Sequence, residues 1–393
     1  MRNSHFPLLI LLGVCLPQVL AAADWSDEVP QALLDEAASS FVFVLEDSVA
    51  PGEVRGLARR LTLENGGRLR HVFHSSIRGF SASVPAAAAA RIAAAPRVAY
   101  YEPNAVYRAS GAAAVPEDGG GSGSAGPGRR TDDDDDAEAT AQATPWGIAR
   151  IGGPIDGTGL HAWIIDTGID LDHADLNVGI GANFVTLGRV AGPDDDNGHG
   201  THVAGTVAAL DNQIDVVGAA PNATVHPVKV LSKTGFGLTD AIVAGIDYVA
   251  ANAAPGDCAN MSLGGLGHQA SIHDAVTAAA ALGIRFSLAA GNESSDAVDY
   301  EPAHVDAPNV YTVSAIDSND VFAVFSNYGA PVDFAAPGVA ILSTSMGGGT
   351  SIKSGTSMAA PHVCGILLHM APPNADGEAI ADPDGDPDPI AHF

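Results

Sequence analysis

Three residues suited to nucleophilic catalysis stand in three glycine-marked turns. Asp166 lies in Asp166-Thr167-Gly168, His199 in Asn197-Gly198-His199-Gly200-Thr201-His202, and Ser357 in Gly355-Thr356-Ser357-Met358-Ala359-Ala360-Pro361-His362. A serine hydroxyl is a poor nucleophile until an imidazole takes its proton, and the imidazole needs a carboxylate to hold its orientation. The chain carries all three parts, in the order Asp, His, Ser, and the chemistry they imply is acyl transfer through a covalent serine intermediate.

The flanking segments say how these residues are positioned. Asp166 follows the apolar run Ala162-Trp163-Ile164-Ile165, so it is expected at the end of a buried strand. His199 is expected to open a helix continuing through Val203, Ala204 and Val207, with Gly198 and Gly200 leaving room for the ring and a substrate. His202 reads as a structural histidine bonded to nearby backbone, since zinc pairs on helices normally use i and i+4 with a glutamate. Ser357 is expected to begin a helix through Val363, Ile366 and Leu367, with Pro361 near its first turn. Such a helix aims its positive end and the Ser357 amide at a developing oxyanion. Apolar strands at 160–165, 224–230, 259–263, 285–290 and 310–313 alternate with helices, one carrying Ile242, Val243, Ile246 and Val249 on a face. This predicts an α/β fold, a parallel sheet covered by helices on both sides.

The 393 residues include 18 Lys and Arg against 46 Asp and Glu, a net charge of -28 that argues against nucleic acid or an anionic membrane as partner. A basic start, an apolar run from Phe6 to Leu20 and Ala21-Ala22-Ala23 predict a signal peptide over 1–23, hence a secreted protein. Beyond it, Cys258 and Cys364 lie in apolar segments, which predicts buried free thiols acting as small hydrophobes rather than a bridge.

Residues 41–108 predict a small α+β domain. Its strand, helix, strand, strand, helix, strand order is that of a ferredoxin-like sandwich. Residues 109–144 change to Gly, Ser, Pro and Asp, including the run Asp132 to Asp136, and predict a flexible linker. Residues 145–370 form the larger domain, and 371–393 read as an acidic tail whose interleaved prolines oppose a compact metal loop. Asp194-Asp195-Asp196 is a further acidic candidate for a cation.

The three catalytic motifs and the entry Pro145-Trp146-Gly147-Ile148 resemble the subtilisin-like serine proteases. The 41–108 domain is similar to the inhibitor-type propeptide that precedes many of them. The resemblance implies a subtilisin-like fold and a serine endopeptidase made as an autoprocessed precursor, with its own propeptide as intramolecular inhibitor and proteins or peptides as substrates. The first cut is expected between about Tyr107 and Thr144. Through Ala289-Ala290-Gly291-Asn292 the resemblance implies that the Asn292 amide joins the oxyanion site. It implies that Ser262, Leu263, Gly264 and Gly265 form one wall of the substrate pocket and Ala289, Ala290 and Gly291 the other. Gly235, Phe236 and Gly237 then pair with extended substrate, and Tyr300 resembles the pocket floor of the proteinase K branch. An apolar or aromatic residue is expected before the scissile bond. No cofactor is expected for the chemistry, a structural calcium ion is implied at Pro308, Val310 and Asp333, and the enzyme is expected to be a monomer. Two rival readings are a catalytically silent binding or chaperone-like protein of the same fold, and a narrow-specificity processing peptidase.

Overall fold

The computed structural model describes residues 26–110, 141–187 and 192–393. The expected signal segment and all but the ends of the expected linker lie outside them. After a single 3-10 turn at Ser26–Glu28, the described chain forms a helix not expected from the sequence, Gln31–Ala38 (α1). Strand Ser40–Leu45 (β1) follows, then Pro51–Glu64 (α2), Arg68–Phe73 (β2), Gly79–Ser83 (β3), Ala86–Ala93 (α3) and Val98–Pro103 (β4). The strands form an antiparallel sheet in the order β2-β3-β1-β4, the expected ferredoxin-like arrangement.

β1 is buried along its whole length because each face serves a different core. Phe41, Phe43 and Leu45 pack with Val54, Leu57, Ala58 and Leu61, the i, i+3, i+4, i+7 stripe of α2. Val42 and Val44 point the other way, into the core of the larger domain. Strand Val106–Ala109 (β5) then leaves the small domain.

The larger domain runs through Trp146–Arg150 (α4), His161–Asp166 (β6), Ala182–Asn183 (β7), His199–Ala208 (α5), Thr224–Lys229 (β8), Phe236–Leu238 (β9), Thr239–Asn252 (α6), Cys258–Met261 (β10) and Leu263–Leu266 (β11). It continues with Ala270–Ala281 (α7), Arg285–Ala289 (β12), Tyr300–Glu301 (β13), Val310–Ile316 (β14), Phe334–Pro337 (β15), Ile341–Thr344 (β16), Thr350–Lys353 (β17), Thr356–His369 (α8), Asn374–Glu378 (β18) and Pro389–His392 (β19). The main sheet has the order β18-β19-β15-β14-β12-β10-β6-β8-β7, parallel except where β18 meets β19. Its strands read as continuous apolar runs because both faces are covered. In β6, Ala162 and Ile164 pack beneath α5 and α8, while Trp163 and Ile165 pack beneath α6 and α7.

Two expectations are corrected here. Cys258 at the start of β10 and Cys364 inside α8 are joined by a disulfide across 106 residues, their Cα atoms 5.8 Å apart. The strand and helix that carry them stack directly, so two apolar, fully buried segments present their thiols to each other. Residues 371–393 are not a free tail either. β19 adds to β15 through Ala335 and Ile390, and Ile390 packs against Ile316, Phe322 and Ala379. Arg150 clamps the segment, its Nε 2.7 Å from Asp320 Oδ1 and its Nη2 2.8 Å from the Asp376 carbonyl. The linker's ends are held as well, Ala143 by a bridge to Val216 and Ala109 within β5.

Candidate active site

Asp166 closes β6 with its carboxylate fully buried, and His199 Nδ1 stands 2.8 Å from Oδ1 and 2.9 Å from Oδ2. The turn into α5 depends on its glycines differently than expected. Gly198 has φ 93°, a left-handed conformation that glycine adopts without strain, and a Cβ on Gly200 would sit 2.1 Å from the Gly168 carbonyl. Gly200 therefore serves the close approach of the Asp166 and His199 turns rather than space for substrate.

Residues not singled out as catalytic hold these turns. Asp195, read above as a cation candidate, spends its oxygens on protein donors: Oδ1 accepts from the Asn197 and Gly198 amides and from Thr167 Oγ1, and Oδ2 from the Thr201 amide and hydroxyl. Burial alone would raise its pKa, yet these bonds keep it below the usual carboxylate value. Lys229, buried at the end of β8, donates to the Thr167 carbonyl and, at 2.7 Å, to Asp196 Oδ1. A lysine ending an apolar strand in a chain of three lysines was the available signal. His202 is structural: Nε2 lies 3.1 Å from both the Ile341 and Ser351 carbonyls, and burial pushes it down to about 3.

Ser357 is the second residue of α8, behind Gly355 at φ 148°. Its hydroxyl does not reach for the imidazole. Oγ donates to the Ser262 carbonyl at 3.1 Å, and His199 Nε2 is buried with no hydrogen-bond partner. Pro361 lies in the second turn of α8, not the first, so it removes the N–H that would bond the Ser357 carbonyl. That carbonyl instead accepts from Ser262 Oγ at 2.9 Å, and Ser262 Oγ accepts from Asn260 Nδ2 at 2.8 Å. The helix-breaking proline thus frees a backbone oxygen that ties α8 to the expected substrate wall. The buried His362 one residue on bonds the Met358 carbonyl, and burial pushes it down to about 4.

β5 occupies the cleft between β9 and β11, antiparallel to both. Val106, Tyr107 and Arg108 pair with Leu238, Gly237 and Phe236, while Ala109 and Arg108 pair with Leu263 and Gly264. The Ala109 amide donates to the Gly235 carbonyl at 2.9 Å and the Ser110 amide to the Ser262 carbonyl at 3.1 Å. The expected wall and pairing segments, Gly235 to Gly237 and Ser262 to Gly265, therefore flank one extended strand of the chain itself. Tyr107 is fully buried, over Gly265. Of the remaining expected residues, Ala289 packs in the core under α8. Ala290 forms a small apolar cluster with Ala297, Ala303 and Tyr300.

The strand delivers the Ser110 carbonyl to the Asn292 side chain, whose Nδ2 donates to it. Asn292 is locked in that orientation because its Oδ1 accepts from the Thr356 amide at 2.8 Å and hydroxyl at 3.1 Å. Gly291, at φ 110°, allows the buried Asn327 to close beneath the turn, where Oδ1 accepts from the Glu293 and Ser295 amides and Nδ2 donates to the Ala290 carbonyl. Glu293 extends the contact to the strand, its Oε1 3.1 Å from Arg108 Nη2. Sequence reading missed Asn327, which is remote in sequence and stands in no motif.

For the implied calcium site, Asp333 Oδ2 accepts from the Thr312 amide at 2.8 Å, leaving one carboxylate oxygen. The residue is exposed overall, but partial desolvation of the carboxyl and then the neighbouring charge of Asp306 raise it to about 6. Two carboxylates in mutual repulsion fit a hard cation.

The family model described as Subtilase family matches residues 157–378, and that described as Peptidase inhibitor I9 matches residues 38–110. An alkaline elastase, YaB, of Bacillus sp. (strain YaB) is 42% identical over 233 residues, covering 58% of this chain and 60% of that protein. The chain thus spans about three fifths of that relative's length. The subtilisin-like serine protease AsES of Sarocladium strictum is 36% identical over 321 residues, 78% of this chain and 73% of that one. A solved cold adapted subtilisin-like serine proteinase superposes with a TM-score of 0.57 at 36% identity, covering 63% of this chain and 97% of the other.

Proposed function

The chain belongs to the subtilase family and carries an I9 inhibitor domain, and from that premise we propose that it is a secreted serine endopeptidase made as a precursor that cuts itself after Ser110. The observation that carries this reading is the Ser110 carbonyl, held by Asn292 Nδ2 while the Ser110 amide is fixed on Ser262.

From this geometry the steps follow. Ser357 Oγ rotates from the Ser262 carbonyl toward His199 Nε2, gives up its proton there and attacks the Ser110 carbonyl carbon. Asp166 on Nδ1 holds the ring and stabilises the imidazolium. Asn292 Nδ2 and the Ser357 N–H, a donor of the first turn of α8 that no intrahelical carbonyl reaches, hold the oxyanion. The imidazolium protonates the amine of Gly111 as the C–N bond breaks, and water, deprotonated by His199, releases the acyl group. The cleft reads other substrates by the same backbone ladder, with an aromatic residue favoured three positions before the bonded carbonyl, where Tyr107 sits. The small Ser110 at the bond itself narrows the expected apolar or aromatic preference there to residues of modest size.

Mass spectrometry of the released propeptide tests the proposal. The expected C-terminus is Ser110, and release is abolished in Ser357→Ala. A propeptide ending elsewhere, or one released by the Ser357→Ala chain, rejects it. A structural calcium ion at Pro308, Val310 and Asp333 is part of the same proposal. Chelation is expected to lower the melting temperature of the parent chain and not that of Asp333→Asn.

A further inference from the structure

A cluster of chemistry-bearing side chains lies outside the Asp166, His199 and Ser357 constellation and is used by no step above. β11 ends at Leu266 and turns through Gly267 to His268, while its partner β13 carries Glu301 and leads through Pro302 to His304. Ligand-capable atoms of His268, Glu301 and His304 lie within 4.8 Å of one another. His268 Nδ1 is 3.0 Å from His304 Nε2, and that same Nε2 is 3.4 Å from Glu301 Oε2.

Two further observations give the cluster a direction. His304 Nδ1 lies 3.1 Å from the Tyr300 carbonyl, which accepts only an N–H. The neutral ring then presents the Nε2 lone pair to its two neighbours, the outer-shell arrangement that fixes metal-bound histidines. Glu301 is fully buried; Oε2, the oxygen that faces His304, accepts from the Gln269 amide at 3.3 Å, while Oε1 of the same carboxylate has no hydrogen-bond partner. A buried carboxylate oxygen without a partner calls for a specific explanation.

Imidazole donors disfavour calcium and magnesium, and two imidazoles with one carboxylate suit zinc and its neighbours. Tetrahedral bonds of about 2.0–2.1 Å separate ligand atoms by about 3.3 Å. The two separations made by His304, 3.0 and 3.4 Å, bracket that value, and the His268 and Glu301 atoms lie within 4.8 Å of each other. We propose that His268, Glu301 and His304 bind one divalent transition-metal ion of the zinc class, a clamp between β11 and β13. The ion takes the place of the hydrogen shared by the two imidazoles, the His268 ring carrying its proton on Nε2 instead of Nδ1 so that both histidines ligate as neutral rings, and a water molecule on the exposed His268 side completes the shell. Because Glu301 pairs with Gly265, over which Tyr107 lies, the clamp fixes the wall that receives the strand in the cleft.

The test uses the full chain carrying Ser357→Ala, stripped with a chelator. Zinc is titrated by calorimetry and cobalt by visible absorption. One equivalent is expected, with the cobalt d–d bands of a nitrogen and oxygen site and a rise in melting temperature on binding. His268→Ala and His304→Gln should each weaken zinc binding at least about tenfold and remove the cobalt bands. His268 is exposed, so its alanine variant is expected to melt like the parent in chelator, which separates lost binding from lost folding. Absence of saturable zinc binding, or cobalt bands unchanged in His268→Ala, overturns the proposal. Since the chain measured cannot turn over, either result is independent of the catalytic reading.

Discussion

The inhibitor domain grips the larger domain at two places by different physics. At the cleft, β5 is held as a strand between strands, and the donors and acceptors are nearly all backbone. On the helix face the grip is made by side chains. Asp247 of α6 accepts from the amides of His74, Ser75 and Ser76 at 2.7–3.0 Å. Arg70 Nε lies 2.5 Å from Asp240 Oδ2, both side chains without solvent exposure. Glu102 accepts from the Ser271 amide at the start of α7. A backbone ladder admits many sequences, as a protease cleft must, whereas buried charges admit one partner. On the proposed reading, catalysis belongs to the first grip and recognition of this particular inhibitor to the second.

The largest effect expected breaks the cleft end chemically. Asp166→Asn leaves the ladder intact but removes the charge that sets the His199 tautomer and stabilises its imidazolium, so propeptide release should slow by about 10⁴-fold, read by gel or mass spectrometry. Asn292→Ala should cost about 10²–10³-fold in turnover with little change in KM, since the lost donor serves the oxyanion. On the helix face, Arg70→Ala strands the buried Asp240 charge. At about 3–5 kcal/mol, the cleaved propeptide should leave the processed complex roughly 10²–10⁴-fold faster, with turnover unchanged. Equal loss of grip from Tyr107→Ala and Arg70→Ala, with turnover falling in both, would remove the distinction between the ends.

The smallest effect uses a region outside both. Asp388, buried beside Ser314 Oγ at 2.5 Å, is raised by burial to about 7. The folded chain keeps this proton up to about pH 7, while the unfolded chain loses it near pH 4. Stability therefore falls as pH rises through that window, by up to about 4 kcal/mol. Asp388→Asn should flatten that slope in melts taken from pH 4 to 8. It should do so equally in the precursor and in processed enzyme freed of propeptide.

How far the sequence reached depends on how local the physics was. The helix stripe of α2, the buried strand before Asp166 and the glycine turns were legible because each is a short-range pattern. The α1 helix was missed because its apolar residues, Leu33 and Ala37, find their partners Val106, Phe236 and Leu238 far along the chain. The disulfide was missed because nothing in two apolar segments says they will stack. The tail misled for a related reason: its acidic, proline-rich composition hides the few residues, Ile390 and Ala391, that enter the sheet.

The sequence by itself determined the candidate reacting groups, their order and the elements carrying them, since residue type and periodicity are local properties. Only the tertiary structure decided that Ser110 is the residue presented to Asn292, that the Ser357 hydroxyl rests on Ser262, and that His268, Glu301 and His304 converge. Those facts depend on distances between segments brought together by packing, and one-dimensional spacing does not encode such distances.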